Sequence, residues 1–339
     1  MSEPKALNLA LQGGGSHGAF TWGVLDRILA DDRLHVEAVS GTSAGAMNAV
    51  ALAHGMATGG REGARKSLSD FWMAVSRAAA FSPFRRTPLD QWMGNWSLDR
   101  NPVYVAMDLL SRVVSPYFTL FEMNPLHQIV DKAIDFEKVR QCANLEVFIS
   151  ATNVETGGVK VFRREELTIK HVLASACLPY MHKAVVIDGV PYWDGGFMGN
   201  PVLYPFFRRC SSDDILVVQI NPIERKGVPT DAREIMNRMN EITFNGSLLK
   251  EFRAIDFVAR LLEDGLLDGN DYKHVYLHMI DDDQHMAALT ASSKLNAERA
   301  FIEHLRDLGH AAADRWLERN FDQIGKASTF DVRAMYQRQ

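Results

Sequence analysis

Ser43 lies in Gly41-Thr42-Ser43-Ala44-Gly45, the G-x-S-x-G spacing that sets a serine on a sharp turn between a strand and a helix. The glycines on either side leave room where such a turn brings strand and helix together. The flanks fit: residues 34–39 alternate like a short strand. Residues 44–53 read as a small-residue helix apolar nearly all round, hence buried. A serine that merely N-caps this helix fits the same residues. The chemistry on offer is nucleophilic attack on an acyl carbonyl, which needs a base for the hydroxyl and donors for the oxyanion.

Two readings compete for Gly13-Gly14-Gly15-Ser16-His17-Gly18. Gly13-x-Gly15-x-x-Gly18, after a strand and before a helix, satisfies the dinucleotide fingerprint. That site requires an acidic residue at the end of the second strand, where this chain has Gly41-Thr42-Ser43, with Glu37 only near the middle. The preferred reading makes Gly13, Gly14 and Gly15 backbone donors at a helix N-terminus, forming an oxyanion hole. Dinucleotide binding stays as the alternative.

For the base, the residues allow a Ser43–Asp194 dyad or a Ser43–Asp194–His285 triad as in α/β-hydrolases. Ser43 follows only the second strand, which favours the dyad. His285 ends the polar run Asp281-Asp282-Asp283-Gln284-His285, a setting for a solvated histidine, and His171 and His182 flank a helix. Asp194-Gly195-Gly196, with Asn200-Pro201 close behind, reads as a fixed loop rather than a hairpin tip.

Three separated blocks, Gly13-Gly14-Gly15-Ser16-His17-Gly18, Gly41-Thr42-Ser43-Ala44-Gly45 and Asp194-Gly195-Gly196, resemble the patatin-like phospholipases, as does Ala174-Ser175-Ala176-Cys177-Leu178-Pro179. The resemblance spans roughly residues 6–205. It implies a three-layer α/β/α fold with a mostly parallel central sheet, and a lipid acyl hydrolase of phospholipase A, lysophospholipase or esterase type. It also implies Ser43 as nucleophile, Asp194 as base, Gly13, Gly14 and Gly15 as oxyanion hole, and no metal or cofactor. The family usually carries Lys or Arg where this chain has His17, so a charge for an anionic head group becomes pH-dependent there.

The elements that must hold these residues can be traced in order. Residues 6–11 read as a buried strand, then a helix with Phe20, Val24, Leu25, Ile28 and Leu29 at helical spacing, then the elbow strand. This opening implies a parallel sheet. From about 61 to 125, aromatic residues and the breakers Pro83, Pro88, Pro102 and Pro116 predict short helices and loops, a lid-like insertion or acyl-binding wall. Trp92 and Trp96 are its candidate substrate-binding residues, beside His17. Its first forty residues hold seven Arg or Lys against four acids, a composition suited to transient contact with an anionic membrane surface. One amphipathic helix is expected over 125–141, a strand at 145–151, and hairpins at 153–162 and 184–193. Strands at 215–220 and 275–280 flank a helical stretch over 231–267, and helix follows over 292–320. The catalytic core is placed at 6–205, supporting strands and helices at 206–326, and a mobile tail from 327.

Bulk properties narrow the class. The 339-residue chain has a net charge of −5, with 47% hydrophobic and 23% charged residues, so no global basic field points to nucleic acid. No apolar run approaches the ~20 residues of a membrane-spanning helix, and no secretory signal is evident. Cys142, Cys177 and Cys210 form no metal-ligand spacing and read as reduced thiols of a cytoplasmic protein, peripheral to a membrane.

Overall fold

The computed structural model describes residues 3–111, 114–118, 125–269 and 271–337. Phe121 of the aromatic insertion lies outside them. In chain order the elements are β1 (Lys5–Leu11), α1 (Gly18–Ala30), β2 (Leu34–Gly41), α2 (Ala44–Ala79), α3 (Pro88–Trp92), α4 (Pro102–Ser111), α5 (Pro125–Ala133) and α6 (Phe136–Gln141). Next come β3 (Glu146–Asn153), β4 (Val159–Arg163), α7 (Ile169–Ser175), β5 (Val185–Ile187), β6 (Val190–Asp194) and α8 (Tyr204–Arg209). The chain ends with β7 (Asp214–Val218), α9 (Ala232–Glu263), β8 (Tyr276–Ile280), α10 (Asp283–Met286), α11 (Arg299–Asn320) and α12 (Val332–Gln337).

The eight strands among the described residues join one sheet in the order β5-β6-β3-β2-β1-β7-β8, with β4 also paired to β3. The run β3-β2-β1-β7-β8 is parallel throughout, and β4, β5 and β6 add antiparallel pairings. Strand alternation sends successive side chains to opposite faces. Leu7, Leu9 and Leu11 of β1 and Leu216 and Val218 of β7 pack with Phe20, Leu25, Val50 and Phe301 of α1, α2 and α11. Ala10, Ile215 and Val217 face the other way, against Phe206, Leu248, Phe252 and Val332 of α8, α9 and α12. Helices thus cover both faces, giving the expected three layers. Each large apolar side chain fully buried in either core contributes about 1.5–3 kcal/mol.

One feature of register positions the site. Residues Glu146–Ile149 of β3 pair with Ala38–Gly41 of β2. Two residues further on, Ala151 pairs with Asp194 of β6. Both Ile149 and Ala151 also pair with β4, so β4 holds one edge of β3 while β2 and β6 share the other. Running in opposite directions, β2 and β6 stop head to head, Gly41 and Asp194 two positions apart. At about 3.3 Å per residue, Asp194 is brought to the turn that follows β2.

Three departures from the sequence expectation have local causes. Residues 61–79 are not short helices and loops but the second half of α2, which bends at Gly59-Gly60, where Gly60 has φ +60. Ala64, Leu68, Phe71 and Trp72 bury one face of it at helical spacing, and no proline interrupts before Pro83. Residues 125–141 form two helices, because Asp135 leaves the helical region and caps the second, accepting from the amides of Glu137 (2.9 Å) and Lys138 (3.4 Å). Residues 327–337, expected as a mobile tail, lie against β8 and α9. The Thr329 and Phe330 amides donate to the Leu277 carbonyl, Phe330 packs on Phe252, and Tyr336 Oη donates to the Leu249 carbonyl at 2.5 Å.

Candidate active site

Ser43 occupies the turn between β2 and α2 with φ 54 and ψ −117, outside the regions a side chain prefers. Its side chain makes no capping bond to α2, so the capping alternative is not what the residue does here. The flanking glycines are required by close approach: a Cβ on Gly45 would stand 2.1 Å from the Leu11 carbonyl oxygen, and one on Gly41 2.4 Å from that of Gly45. The turn is held from several directions. The Ser43 amide donates to Ser175 Oγ of α7 at 2.9 Å. Thr42 Oγ1 donates to the Gly199 carbonyl at 2.7 Å and meets Ser150 Oγ at 2.5 Å.

Asp194 is almost wholly buried. Its amide donates to the Cys177 carbonyl at 2.8 Å, and Thr152 Oγ1 donates to its carbonyl at 2.8 Å. The Ala174–Pro179 block therefore fixes both residues, Ser43 through Ser175 and Asp194 through Cys177. Burial raises the Asp194 carboxyl to about 6. The Gly196 N–H (2.7 Å), a hydrogen bond from Ser43 and the charge of Lys294 oppose that rise. A carboxylate near neutrality, bonded to a strained serine, is the arrangement a proton acceptor requires.

The glycine loop divides its labour. The Gly13 amide donates to Asn200 Oδ1 at 2.7 Å, and its carbonyl accepts from Asn221 Nδ2 at 2.7 Å. Gly13 is thus clamped and, contrary to expectation, has no N–H to offer an oxyanion. Among the described residues, the Gly14 and Gly15 amides have no hydrogen-bond partner. Gly15, exposed and with φ +58, turns the loop into a short 3₁₀ turn ahead of α1. The dinucleotide reading loses its acidic residue: both Glu37 carboxylate oxygens accept from the amides of Ser211 (2.6 Å) and Ser212 (2.7 Å).

His17 departs from the sequence expectation. It is buried, its Nε2 lies 2.7 Å from Ser293 Oγ, and its ring meets Phe301 edge-on. Burial, then Lys294 and Arg225, hold its pKa well below the usual value, so it is neutral at neutral pH and supplies no charge to a head group. His285 is half-exposed and bonded through Nδ1 to Asp282 Oδ1 at 2.7 Å, with no bond to Ser43 or Asp194. Trp96 is not a free substrate wall, because it stacks on Phe301 and His304 under the Arg86 guanidinium. Trp92 is exposed, as are Phe81 and Phe118 nearby in sequence. The basic excess of 61–100 is largely spent: Arg61 binds carbonyls at the end of α1, and Arg65, Lys66, Arg86 and Arg100 have carboxylate partners. Arg85 bonds the Ala80 carbonyl, which leaves Arg77 alone of the seven without a side-chain partner among the described residues.

The model of the family described as patatin-like phospholipase matches residues 9–207, more than half of the chain, and takes in the glycine loop, Ser43 and Asp194. The chain belongs to the patatin-like phospholipase family. Membership supports lipid acyl hydrolase activity. No curated protein sequence matches the chain. Among solved structures it is similar to VipD from Legionella pneumophila, at 14% identity and a TM-score of 0.35 over 92% of this chain and 67% of that one. It is also similar to a chain in the complex of full-length SpcU with full-length ExoU, from the type III secretion system of Pseudomonas aeruginosa. There the identity is 13% and the TM-score 0.32 over 94% of this chain, which spans about half (54%) of that one.

Sequence reasoning missed several residues around this patatin-like site. Asn200 was visible as Asn200-Pro201 behind the aspartate, but not as the clamp on Gly13. Gln12, buried before the glycines, accepts from the Ile220 and Asn221 amides, each at 3.0 Å. Asn221 and Lys294 carry no motif and arrive only through the fold.

Proposed function

We propose that the protein is a serine acyl-ester hydrolase working through a Ser43–Asp194 dyad. The observation that carries the reading is the head-to-head end of β2 and β6, which leaves Ser43 hydrogen-bonded to a buried carboxylate, next to a glycine loop whose Gly14 and Gly15 amides have no partner among the described residues. Ser43 Oγ attacks the acyl carbonyl as its proton passes to Asp194. The Gly14 and Gly15 N–H groups hold the oxyanion. Collapse breaks the ester bond, and the Asp194 proton leaves with the alcohol. Water then attacks the acyl-enzyme, giving its proton to Asp194, and the acid departs as Ser43 regains a proton. The substrate class is an acyl ester with an apolar chain. An apolar cleft of about 590 Å³ begins at Phe197 and Met198, directly after the Asp194 loop, and runs between Val202 and Tyr204 on one side and Ile242 and Gly246 of α9 on the other. Among the described residues no helix is long and apolar enough to cross a membrane; under this reading a lipid substrate is met at the surface of its aggregate. The exposed Phe81, Trp92 and Phe118 suit that contact.

A fluorophosphonate probe tests the reading, because labelling requires an activated hydroxyl and oxyanion donors together. The adduct should map to the peptide holding Gly41–Gly45 and vanish in Ser43→Ala. An unlabelled, folded wild type that binds NAD(H) would return the glycine loop to the dinucleotide reading.

A further inference from the structure

Three chain segments meet here: the glycine loop after β1, the loop after β7, and the 3₁₀ turn Ala291–Leu295 ahead of α11. The first two flank the point where the sheet order changes direction, since β1 connects onward to β2 on one side and β7 to β8 on the other. Crevices outside the carboxyl ends of parallel strands at such a point are where open α/β sheets take ligands. The turn is pressed against the loop, for a Cβ on Gly15 would stand 2.4 Å from the Lys294 carbonyl oxygen.

The Lys294 side chain reaches back over this crevice. Its ammonium donates to Asn221 Oδ1 at 2.8 Å, and Asn221 in turn donates to the Gly13 carbonyl. The ammonium also lies 6.0 Å from the centre of the Phe244 ring, which itself packs against Gly196 of the aspartate loop. Lys294 is therefore lodged between the two loops of the proposed active site. An ammonium has three donors, and among the described residues Asn221 is the one hydrogen-bond acceptor it has. A partly buried ammonium with donors to spare is suited to take an anion. The surrounding charge agrees. Arg225 and Arg238 share the single carboxylate of Glu241, so with Lys294 and Asp194 three cations face two carboxylates.

We propose that Lys294 is a specificity-determining residue of this site, whose ammonium binds the phosphoryl group of a phospholipid or lysophospholipid held at Ser43. The proposal rests on the hydrolase reading above. It moves the cation for an anionic substrate away from His17, which is neutral and turned toward Ser293, to a residue outside the family-matched segment. Phosphate suits this position because a compact ammonium pairs with it as a point charge. Substrates then sort by their charge as well as their acyl chain.

The test compares a lysophospholipid with a neutral p-nitrophenyl ester of the same acyl chain, at pH 7.5, above the Asp194 value of about 6 and low enough to keep the Lys294 ammonium charged although burial lowers its pKa. The quantity read is the ratio of kcat/KM for the two. Lys294→Gln retains a donor for Asn221 but removes the charge, and Lys294→Arg retains the charge. In Lys294→Gln the ratio should fall on the order of tenfold or more, carried by KM for the lysophospholipid, and Lys294→Arg should restore most of it. An unchanged ratio in Lys294→Gln, with the wild type active on both esters, overturns the Lys294 proposal alone. A fall in fluorophosphonate labelling that matches the loss on both esters also overturns it, since the residue would then only hold the loops. A wild type inactive on both esters overturns the hydrolase reading and this proposal with it.

Discussion

Residues 9–207 hold Ser43, Asp194 and the glycine loop. Residues 208–337 hold no recognisable motif, yet the two portions grip the same glycine. Asn200 from the first takes the Gly13 N–H, and Asn221 from the second takes its carbonyl. The second portion also supplies β7 and β8, all of α9 and the Lys294 ammonium. Reacting groups are concentrated in one portion, while their placement and electrostatics are shared by both. If that division holds, substitutions in the first portion should remove chemistry. Those in the second should alter how well, at what pH and on which substrate it runs.

The largest effect is expected inside the first portion. Ser43→Ala and Asp194→Asn should each lower kcat by roughly 10⁴-fold or more while the protein stays folded, the scale of losing a nucleophile or its partner. His285→Ala should change kcat less than about twofold, because its one ring bond goes to Asp282 and neither Ser43 nor Asp194 is its partner. A 10³-fold loss in a folded His285→Ala protein would restore the triad. It would also place a reacting group in the second portion, ending the division.

The two clamps on Gly13 come next. Removing either asparagine side chain leaves a buried backbone group without its partner, a cost of about 1–3 kcal/mol. Asn200→Ala and Asn221→Ala should each reduce kcat by roughly 10- to 100-fold, with smaller changes in KM, as Gly14 and Gly15 lose their fixed direction. Similar losses would show that both portions set the oxyanion geometry. A harmless Asn221→Ala would reduce the second portion to scaffold.

The pH profile sharpens the same contrast. Burial raises the Asp194 carboxyl to about 6, and its carboxylate is the form that accepts the serine proton. Hence kcat/KM on a neutral ester should fall about tenfold per pH unit below about 6 and level off above it. Lys294 lowers this pKa, so Lys294→Gln should move the limb to higher pH. A limb that stays in place would show that the second portion does not reach the base electrostatically.

How much of this was legible depended on whether a residue's role is local. Gly41 to Gly45 define a turn by their own sterics, the largely apolar run 6–11 marks a buried strand, and alternation in 34–39 marks the next. Those elements and the two hairpins could be read directly. Asp194 could be found because Asp-Gly-Gly breaks a strand, but its meeting with Ser43 depends on β3 pairing with two strands along one edge, a non-local register. His17 misled for the same reason. Its pKa is set by burial against Phe301 and by Lys294, from segments more than 270 positions away. The aromatic insertion was over-read, since Trp72 and Trp96 fill the fold and only exposure, which periodicity did not reveal, sets Trp92 apart.

The smallest effect expected concerns the two apolar surfaces offered to a lipid. Trp92 belongs to the first portion and lies open on α3, whereas the cleft wall at Ile242 and Gly246 belongs to the second. An exposed side chain aids adsorption to an aggregate, while a cleft that starts at Phe197 would, under the proposed reading, measure the chain being cleaved. Gly246 gives a clean probe, because a Cβ there would meet nothing within 4 Å and the residue sits inside α9. A larger residue should be tolerated by the fold, and replacing a helix-interior glycine adds up to about 1 kcal/mol of helical stability. In Gly246→Phe the ring should fill the cleft, so kcat/KM falls several-fold for long-chain p-nitrophenyl esters and little for the acetate or butyrate. Trp92→Ser should leave that chain-length profile intact and weaken only turnover of vesicle-borne substrate, by a comparable few-fold. A chain-length profile that shifts in Trp92→Ser and not in Gly246→Phe would move the acyl site from the second portion back to the insertion.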